Sequence, residues 1–419
     1  MTDRLKTSVS AIAAALAFSL SAVASAGEWD FGAEVSGELR YFPVDAPFPQ
    51  QFDHWQPSFT VQPDVRWQSD DGKHQFVAIP FVRVDSQDPE RTHGDLREGY
   101  YRYVSDNDWS LLIGAAKVFW GTTESRHLVD IVNQTDAVED IDEEDKLGQP
   151  MVQLSLLKNW GQLDLFVLPG FRDRTFPGPD GRLRFELAVD TDNAIFERDG
   201  RRATVDYAAR YSNFFGDWDV GLSVFHGTSR EPRFAVAEDF SSLLPVYDRI
   251  TQGGVDVQYT KDAWLWKGEG IVRAGQSDTF FAGVVGFEYT LYQILGKSWD
   301  LGLLTEYLYD GRNDDLVVET LGPELTTTVT ATPVTIFNND VFLGARLGFN
   351  DTQDSAFLAG VTVDAEDQSM SMFIEAERRI GQNWTAEFES RLFLNVDENN
   401  IVDAFRDDDF VTFRLTRFF

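Results

Sequence analysis

Ser125, His127 and Asp130 place a hydroxyl, an imidazole and a carboxylate close together in the sequence. A nucleophile, a general base and the acid that orients the base are built from these side-chain types. In hydrolases the three groups usually converge from separate segments, so adjacency does not establish the geometry. Histidine is also scarce, at positions 54, 74, 93, 127 and 226. We therefore predict that the protein is not an enzyme, and we assign no catalytic residue.

A second candidate site is DTDNAIFERDG, residues 190–200, whose acidic residues suggest calcium binding. The calcium-loop template requires Asp or Asn at its fifth position and Gly at its sixth, where this chain has Ala194 and Ile195. The chain has no cysteine, so a thiolate metal site and a disulfide are both excluded. We predict no metal site and no cofactor, apart from divalent cations loosely bound at acidic loops.

The most acidic segment is KVFWGTTESRHLVDIVNQTDAVEDIDEEDKLGQ, residues 117–149. Loops of this length are usually functional or disordered. Opposed charges across a narrow gap can filter polar solutes by size and charge. We predict that this segment narrows a pore, with candidate constriction residues Glu124, Arg126, Asp130 and Asp136. For residues 138–145 we favour the alternative of a solvated outer loop that binds divalent ions beside lipopolysaccharide.

The elements that would position such a loop are strands with a period of two. In the first, Trp29, Phe31 and Leu39 share one parity, and charged residues occupy the other. We predict an all-β fold of about eighteen strands. They are at about 28–42, 57–68, 74–85, 95–105, 109–118, 150–158, 162–171, 203–213, 217–226, 252–261, 264–274, 281–292, 299–310, 338–349, 355–364, 369–379, 384–394 and 409–419. Apolar residues occupy both parities in 74–85, 109–118 and 162–171, so sixteen strands is the alternative.

The connections alternate between short polar turns and mostly much longer segments. The longer ones are at about 43–56, 86–94, 119–149, 172–202, 227–251, 275–280, 311–337, 365–368 and 395–408. Short turns on one side and long loops on the other are typical of an antiparallel up-and-down β-barrel that spans a membrane. The third long loop, at about 119–149, is the candidate constriction.

Aromatic residues support the same interpretation. Six tryptophans adjoin the short turns, and indole rings prefer the boundary between hydrocarbon and water. We predict an aromatic girdle formed by Trp67, Trp109, Trp218, Trp264, Trp299 and Trp384. The terminal Phe419, preceded by alternating apolar residues, resembles the carboxy-terminal strand that the insertion machinery of bacterial outer-membrane barrels recognises.

The amino terminus has the layout of a cleavable export signal. Arg4 and Lys6 precede an apolar run that ends at Ala24-Ser25-Ala26. We predict a signal peptide over residues 1–26 and a barrel over residues 27–419, located in the outer membrane. The formal net charge of −33 argues against nucleic acid, and we predict no nucleic-acid partner.

If the apolar parity faces lipid, the polar parity lines an aqueous lumen. We predict lumen-wall residues Arg40, Arg66, Arg102, Glu34, Glu38 and Asp64, with the three arginines facing the constriction. Closure pairs every backbone N–H and C=O between neighbouring strands, as hydrocarbon requires. A closed barrel therefore needs no packed core.

In loop order and strand pattern the chain resembles general porins over residues 27–419. That resemblance implies a third loop that folds inward and carries acidic residues opposite arginines of the wall. The Trp120-Gly121-x-x-Glu124-Ser125-Arg126 start of the third loop and LPGFRDRTFPG, residues 168–178, are similar to the alginate-export type of barrel. This second resemblance implies a path for an acidic polysaccharide.

We therefore predict a channel for passive diffusion of small polar solutes, with a preference for cations. The alternatives are a polysaccharide export barrel and a structural or adhesive barrel that its loops close. The expected partners are membrane lipid, lipopolysaccharide, the insertion machinery and small polar solutes. The sequence allows a monomer or a homotrimer.

Overall fold

The computed structural model describes residues 27–197, 200–276, 278–313, 315–321 and 325–419. The predicted signal peptide, residues 1–26, lies outside the described residues. The described chain consists mainly of strands and loops, with short 3-10 helices at Arg201–Ala203 and Ile401–Phe405. None of its helices is long and apolar enough to cross a lipid bilayer.

The described residues form twenty-three strands. In chain order they are β1 Gly27–Tyr41, β2 Trp55–Ser69, β3 His74–Asp85, β4 Gly94–Ser105, β5 Trp109–Ala116, β6 Gln149–Lys158, β7 Gly161–Pro169, β8 Ile195–Phe196, β9 Val205–Phe215, β10 Trp218–Thr228, β11 Arg233–Val236, β12 Leu243–Tyr247, β13 Arg249–Lys261, β14 Trp264–Ala274, β15 Phe280–Ile294, β16 Trp299–Asp310, β17 Leu316–Leu321, β18 Leu325–Thr330, β19 Asn339–Gly348, β20 Ala356–Asp364, β21 Met370–Ile380, β22 Trp384–Leu394 and β23 Phe410–Phe418.

Eighteen of these strands close into one antiparallel barrel. Each barrel strand pairs with its neighbours along the chain, and β1 closes the ring by pairing with β23 from Glu34 opposite Phe418 to Tyr41 opposite Val411. Closure satisfies the backbone hydrogen bonds of the strands inside a hydrocarbon layer. The predicted all-β barrel of eighteen strands is confirmed, and the alternative of sixteen is wrong.

Side chains alternate between the two faces of the barrel as predicted. On β1, Phe31 is 67% exposed and Leu39 is 39% exposed, whereas Glu38 and Arg40 are 5% and 2% exposed. The apolar parity therefore covers the outside of the barrel, and the charged parity points inward. An apolar outer band with a polar interior is the arrangement of a barrel embedded in lipid.

The outer half of the lumen, at the long-loop end, contains a packed core, contrary to the expectation from the sequence. Leu128, Val129, Ile131 and Val132 of the third long connection are at most 6% exposed. They belong to one apolar cluster with inward-facing wall residues, including Phe166, Leu168, Phe225, Ile250 and Ile271. The expectation that closure removes the need for a core is wrong, because the loop inside the barrel buries its own apolar face.

This core also explains two of the three strands that carry apolar residues on both parities, β5 and β7. Leu112 on β5 and Phe166 and Leu168 on β7 face inward and contact the cluster. Outward residues such as Ile113 and Val167 are 50% and 41% exposed. The strands meet lipid on one side and a packed loop on the other, so a clean alternation of apolar and polar residues is absent.

The long connections contain a second sheet, where the sequence pattern predicts only loops. β17, β18, β11, β12 and β8 pair in that order. Ala235, Val246 and Val329 form its buried apolar centre, each at most 2% exposed. Its strands have two to six residues, too short for the period-two pattern to identify.

Candidate functional site

The third loop, residues 117–148 between β5 and β6, folds into the lumen. Its tip is held by Glu269 on β14, whose Oε1 accepts the backbone N–H of Thr122 at 2.7 Å and that of Thr123 at 3.0 Å. Glu306 on β16 accepts the N–H groups of Glu124 and Ser125, each at 2.8 Å. Backbone donors thus hold the tip against a part of the wall away from the strands that the loop connects.

Charged side chains of the tip bind the same wall. Arg126 Nη1 lies 2.9 Å from Asp310 Oδ2 at the end of β16. Glu124 forms an ion pair with Arg346 on β19, and its Oε2 lies 3.7 Å from Lys267 Nζ on β14. Two of the four predicted constriction residues therefore contact charged residues on this part of the wall.

The returning half of the third loop binds the side of the barrel formed by β1–β4. Asp136 accepts from Arg97 Nη2 at 2.7 Å and from His93 Nε2 at 3.2 Å. Both carboxylate oxygens of Glu139 accept from the Arg83 guanidinium at 2.5–2.9 Å. Paired, hydrogen-bonded geometry of this kind is what a buried charge requires.

The acidic run after Glu139 is also bound inside the barrel. Asp140 pairs with Arg40 on β1 at 2.8 Å, Asp142 with Arg391 on β22 at 2.7 Å, and Glu143 with Arg174 at 2.6 Å. Asp140 is 8% exposed. The interpretation of residues 138–145 as a solvated outer loop is wrong, because wall and loop arginines draw these carboxylates into the lumen.

The predicted wall residues divide between two environments. Arg40 and Glu38 lie where the loop packs, and Glu38 pairs with Arg91, Arg83 and Arg414 at 2.8–3.2 Å. Arg66 instead pairs with Asp64 of its own strand at 2.9 Å and has a side chain 51% exposed. Of the three arginines predicted to face the constriction, Arg40 contacts the loop.

The other two predicted residues lie away from the ion pairs of the loop. The Arg102 guanidinium lies over the Tyr100 ring, 5.5 Å from its centroid. Glu34 accepts a hydrogen bond from Gln62 at 3.5 Å. Two wall arginines that the sequence analysis did not name, Arg83 and Arg97, hold the loop instead.

A β-bulge explains why Arg97 was missed. The register between β3 and β4 shifts between Ile79 and Pro80, so that Glu98 pairs with Ile79 and Leu96 with Pro80. The extra residue is Arg97, which is 4% exposed. A bulge reverses the parity of a strand on one side of it. Strict alternation from Glu98 and Arg102 therefore places Arg97 on the wrong face.

Burial and neighbouring charges shift the pKa values of the loop acids in opposite directions. Burial alone would raise the pKa of Asp136, but the hydrogen bond and charge of His93, together with Arg97, hold it at about 2. Burial and the charge of Glu139 raise the pKa of Asp145 to about 6. Burial would lower the pKa of His93, but Asp136 and Glu139 raise it.

His93, Asp136 and Glu139 are the group within the described residues that could hold a metal ion, since their ligand atoms lie within 4.8 Å of one another. Arg97 already pairs with Asp136, and Arg83 with Glu139. The two guanidinium groups supply the positive charge that a metal would bring. We therefore interpret the cluster as part of the ion-pair network.

Ser125, His127 and Asp130 do not form a catalytic triad. The Ser125 hydroxyl donates to Glu306 Oε2 at 2.5 Å. His127 Nδ1 lies 3.9 Å from Glu269, and Asp130 lies 3.6 Å from Lys146. Each group is directed to a partner outside the set.

The loop leaves a cavity of about 520 Å³ that is bordered by β19–β22 and, at the long-loop end, by residues of the connections that follow β7 and β10. We call this cavity the side passage. It extends from Asp364, the last residue of β20, to Leu358 near the other end of that strand. Loop residues 124–126 and 141–144 border it on one side. Its wall residues include Phe342, Arg346, Thr362, Phe373, Glu375 and Arg391.

Most of the unpaired charges of the side passage are negative; the exception among its described arginines is Arg184, which donates to backbone carbonyl groups. Among the described residues, four of its carboxylates lack an ion-pair partner within 4 Å, namely Glu144, Asp340, Asp364 and Glu375. Its arginines are mostly paired, with Glu124 bound to Arg346 and Asp142 to Arg391. Further along the wall, Glu375 stands opposite Glu389 and Glu377 opposite Glu387. Glu389 pairs with Arg391 at 2.9 Å and Glu387 with Arg414 at 3.2 Å.

The predicted girdle tryptophans all lie beside short turns. Five of these tryptophans begin a strand, namely Trp109, Trp218, Trp264, Trp299 and Trp384, and Trp67 lies two residues before the end of β2.

The carboxy-terminal Phe419 lies at the seam where β1 meets β23, and its backbone N–H donates to the carbonyl oxygen of Ala33 at 3.0 Å. Anchoring by the tryptophans and recognition of Phe419 stay predictions.

Solved structures with a similar fold are barrels. Wzi of Escherichia coli, described as an outer-membrane protein and a carbohydrate-binding β-barrel, has a TM-score of 0.53 at 9% identity, covering 92% of this chain and 83% of Wzi. The fold is that of an outer-membrane β-barrel. With its apolar outer face, the barrel lies in the outer membrane, as predicted.

Two Pseudomonas aeruginosa structures are also similar. OpdQ has a TM-score of 0.49 at 10% identity, covering 94% of this chain and 97% of OpdQ. OccK3 has a TM-score of 0.47 at 11% identity, covering 93% of this chain and 95% of OccK3. No protein-family profile and no curated protein matches the sequence.

Proposed function

We propose that the protein is a diffusion channel for small polar solutes in which the third loop leaves the side passage as the route across the outer half of the barrel. The observation that carries this proposal is the loop's double attachment, to Glu269 and Glu306 at its tip and to Arg40, Arg83 and Arg97 on its return. A barrel of eighteen strands has room for an aqueous channel. A loop held on both sides narrows that channel.

The size of the side passage supports small solutes. Its volume of about 520 Å³ falls within the range of pockets that hold small molecules, roughly 300–1,000 Å³. The carboxylates without partners, Glu144 and Glu375 among them, support a preference for cations. The same charges disfavour an anionic polysaccharide, so we rank export of an acidic polymer below diffusion.

The alternative is a barrel closed by its loops, with a role in binding at the cell surface. The buried core formed by the third loop favours it. Wzi, whose fold is similar, is described as a carbohydrate-binding β-barrel, and we keep carbohydrate binding as the form that this alternative takes. We propose no catalytic activity, because the Ser125 hydroxyl donates to Glu306 and His127 lies beside a different wall carboxylate, with its Nδ1 3.9 Å from Glu269.

Conductance in a planar lipid bilayer tests the proposal. Purified protein is inserted into the bilayer, and single-channel current and reversal potential are recorded under a potassium chloride gradient. Steady openings with a cation-selective reversal potential are expected. A folded barrel that carries no current would contradict the channel and favour the closed alternative. Openings with an anion-selective reversal would contradict the charge argument alone.

A further inference from the structure

We propose that the side passage binds linear polyamines, with ammonium groups held by two pairs of carboxylates and the aliphatic chain held between them. The outer pair is Asp340 and Asp364, and the inner pair is Glu144 and Glu375. The inference deepens the proposed function, because it names the class of cation that the same passage would take.

The outer pair lies at the long-loop ends of β19 and β20. Asp340 and Asp364 are directly opposite in the strand register and are 2% and 7% exposed. Asp340 accepts the N–H of Asn338 at 2.7 Å, and Asp364 accepts the side-chain amide of Asn400 at 3.2 Å. Like charges directly opposite one another destabilise a sheet. A cation bound between them would remove that repulsion.

The inner pair lies further along the same wall. Glu375 on β21 stands opposite Leu358 on β20. Asp364 lies six positions after Leu358, roughly 20 Å along the strand at the usual rise. Glu144 of the third loop borders the same passage. The unpaired carboxylates are therefore spread along the passage, as a ligand with several positive charges requires.

The wall between the pairs is aromatic. Phe342 and Phe373 stack with their ring centroids 6.0 Å apart, and both line the passage. Aromatic faces attract alkylammonium groups and also pack against methylene groups. Thr362, opposite Phe342, adds a hydroxyl. A chain of ammonium groups linked by short aliphatic segments matches this order of charged and apolar surface.

Asp130 gives a separate indication of a ligand with N–H donors. Its side chain is 1% exposed, and it lines the passage. Among the described residues, its buried Oδ2 has no hydrogen-bond partner, and Lys146 Nζ lies 3.6 Å away. Buried polar atoms in proteins are nearly always bonded. A bound ammonium would supply the missing donor.

The arginines of the passage do not favour an anion instead. Arg184, which has no carboxylate within 4 Å, uses its guanidinium to donate to the backbone carbonyl groups of Phe185 and Glu186, each at 2.7 Å. Arg174 and Arg230 each have one buried nitrogen without a partner in the described chain. Arg174 is nevertheless paired with Glu143 at 2.6 Å, and Arg230 with Asp206 at 2.8 Å. Their charges are neutralised by the protein, whereas those of the outer and inner pairs are not.

The test is block of potassium current by spermine added on the long-loop side of a planar bilayer. We expect discrete interruptions of the current by spermine, and none by an uncharged diol of similar length. In the double variant Asp340→Asn, Asp364→Asn, the duration of each interruption should fall about tenfold or more, the effect of losing about 1.4 kcal/mol of binding free energy. Asp239→Asn, in an exposed loop, is the matched control and should leave the duration unchanged.

Equilibrium binding separates this inference from the channel proposal. Calorimetry of spermine with folded protein in detergent micelles needs no current, and folding of each variant is checked by its heat-modifiable mobility on a gel. Spermine binding that the double variant loses supports the site even in a barrel that carries no current. Absence of binding, or equal binding and block in the double variant, would overturn it.

Discussion

The carboxylate of Glu306 accepts two hydrogen bonds from Ser125, one from the backbone N–H at 2.8 Å and one from the hydroxyl at 2.5 Å. The two residues lie 181 positions apart in the chain. The tip of the third loop is therefore attached to a strand far from the strands that the loop connects. The proposed channel depends on this attachment.

Removing the Glu306 carboxylate should widen the channel. Glu306→Ala deletes the acceptor of Glu124 and Ser125, and hydrogen bonds to charged groups contribute about 1.5–3 kcal/mol each. We expect a higher single-channel conductance and a noisier open state, recorded in a planar bilayer. Glu238→Ala, in an exposed loop, is the control. If folded Glu306→Ala has unchanged conductance, the loop tip does not narrow the conducting route.

The buried ion pair between Arg40 and Asp140 should be strongly coupled. Breaking a buried pair by removing one partner costs about 3–5 kcal/mol, because the other charge is left unpaired. In a double-mutant cycle with Arg40→Met and Asp140→Leu, we expect the double variant to regain much of the free energy of unfolding that Asp140→Leu loses, because Asp140 keeps Arg391 at 3.4 Å when Arg40 is removed. Urea unfolding in lipid vesicles measures it.

An exposed ion pair provides the comparison for that cycle. Arg379 and Asp354 pair beside a short turn, with side chains 49% and 61% exposed. Pairs of this kind contribute about 0–1 kcal/mol. Equal coupling energies for the two pairs would show that the lumen around Asp140 is wet and that the loop is only weakly held there.

The third loop should be held more firmly in mild acid than in mild base. The raised pKa of His93 adds stability that is complete below its ordinary value of 6.5 and is lost as the pH rises through the raised value. Asp145, with a pKa of about 6, binds its proton at a higher pH in the folded state than in the unfolded state. The folded state therefore gains stability as the pH falls from about 6 towards 3.8. The lowered pKa of Asp136, about 2, keeps its ion pairs intact throughout this range.

Amide hydrogen exchange of residues 136–145 measures this effect. Protection should be greater at about pH 5.5 than at about pH 8, after correction for the intrinsic rate. His93→Gln should remove the part of the difference above about pH 6.5, and His74→Gln, at the short-turn end, should not. Greater protection at the higher pH would contradict the assigned ion pairs.

The cation preference should depend on the unpaired carboxylates of the side passage. Glu144→Gln and Glu375→Gln each remove one negative charge without a paired arginine, so both should move the reversal potential under a salt gradient towards zero. Glu319→Gln, in the pair with Arg233 outside the barrel wall, should leave it unchanged. A shift in the control alone would place the selectivity outside the passage.

The barrel could be predicted from the sequence because the features that indicate a barrel recur along the whole chain. Parity in β1, the alternation of turn lengths and the tryptophans beside the short turns all follow from the lipid boundary. The inward position of residues 138–145 could not be predicted in this way, since acidic loops bind water and arginine equally well. Only the folded barrel shows that Arg40, Arg83 and Arg391 face them.

The interior was less predictable than the exterior for a local reason. Parity identifies the outward face reliably, but one bulge beside Arg97 reverses it. Inward apolar residues such as Leu112 and Phe166 weakened the strand signal at the positions where the third loop packs. Apolar residues on both parities of a barrel strand therefore indicate a loop folded against that strand.

The most direct test of the central claim uses the absence of cysteine from the chain. Ser371→Cys places one thiol in the side passage, and Ser223→Cys places one on the inner face of β10, across the barrel. A bulky thiol reagent is added during recording of potassium current. We predict a large, permanent fall in current for Ser371→Cys and little change for Ser223→Cys. Equal falls, or a fall in Ser223→Cys alone, would contradict a single route beside β19–β22.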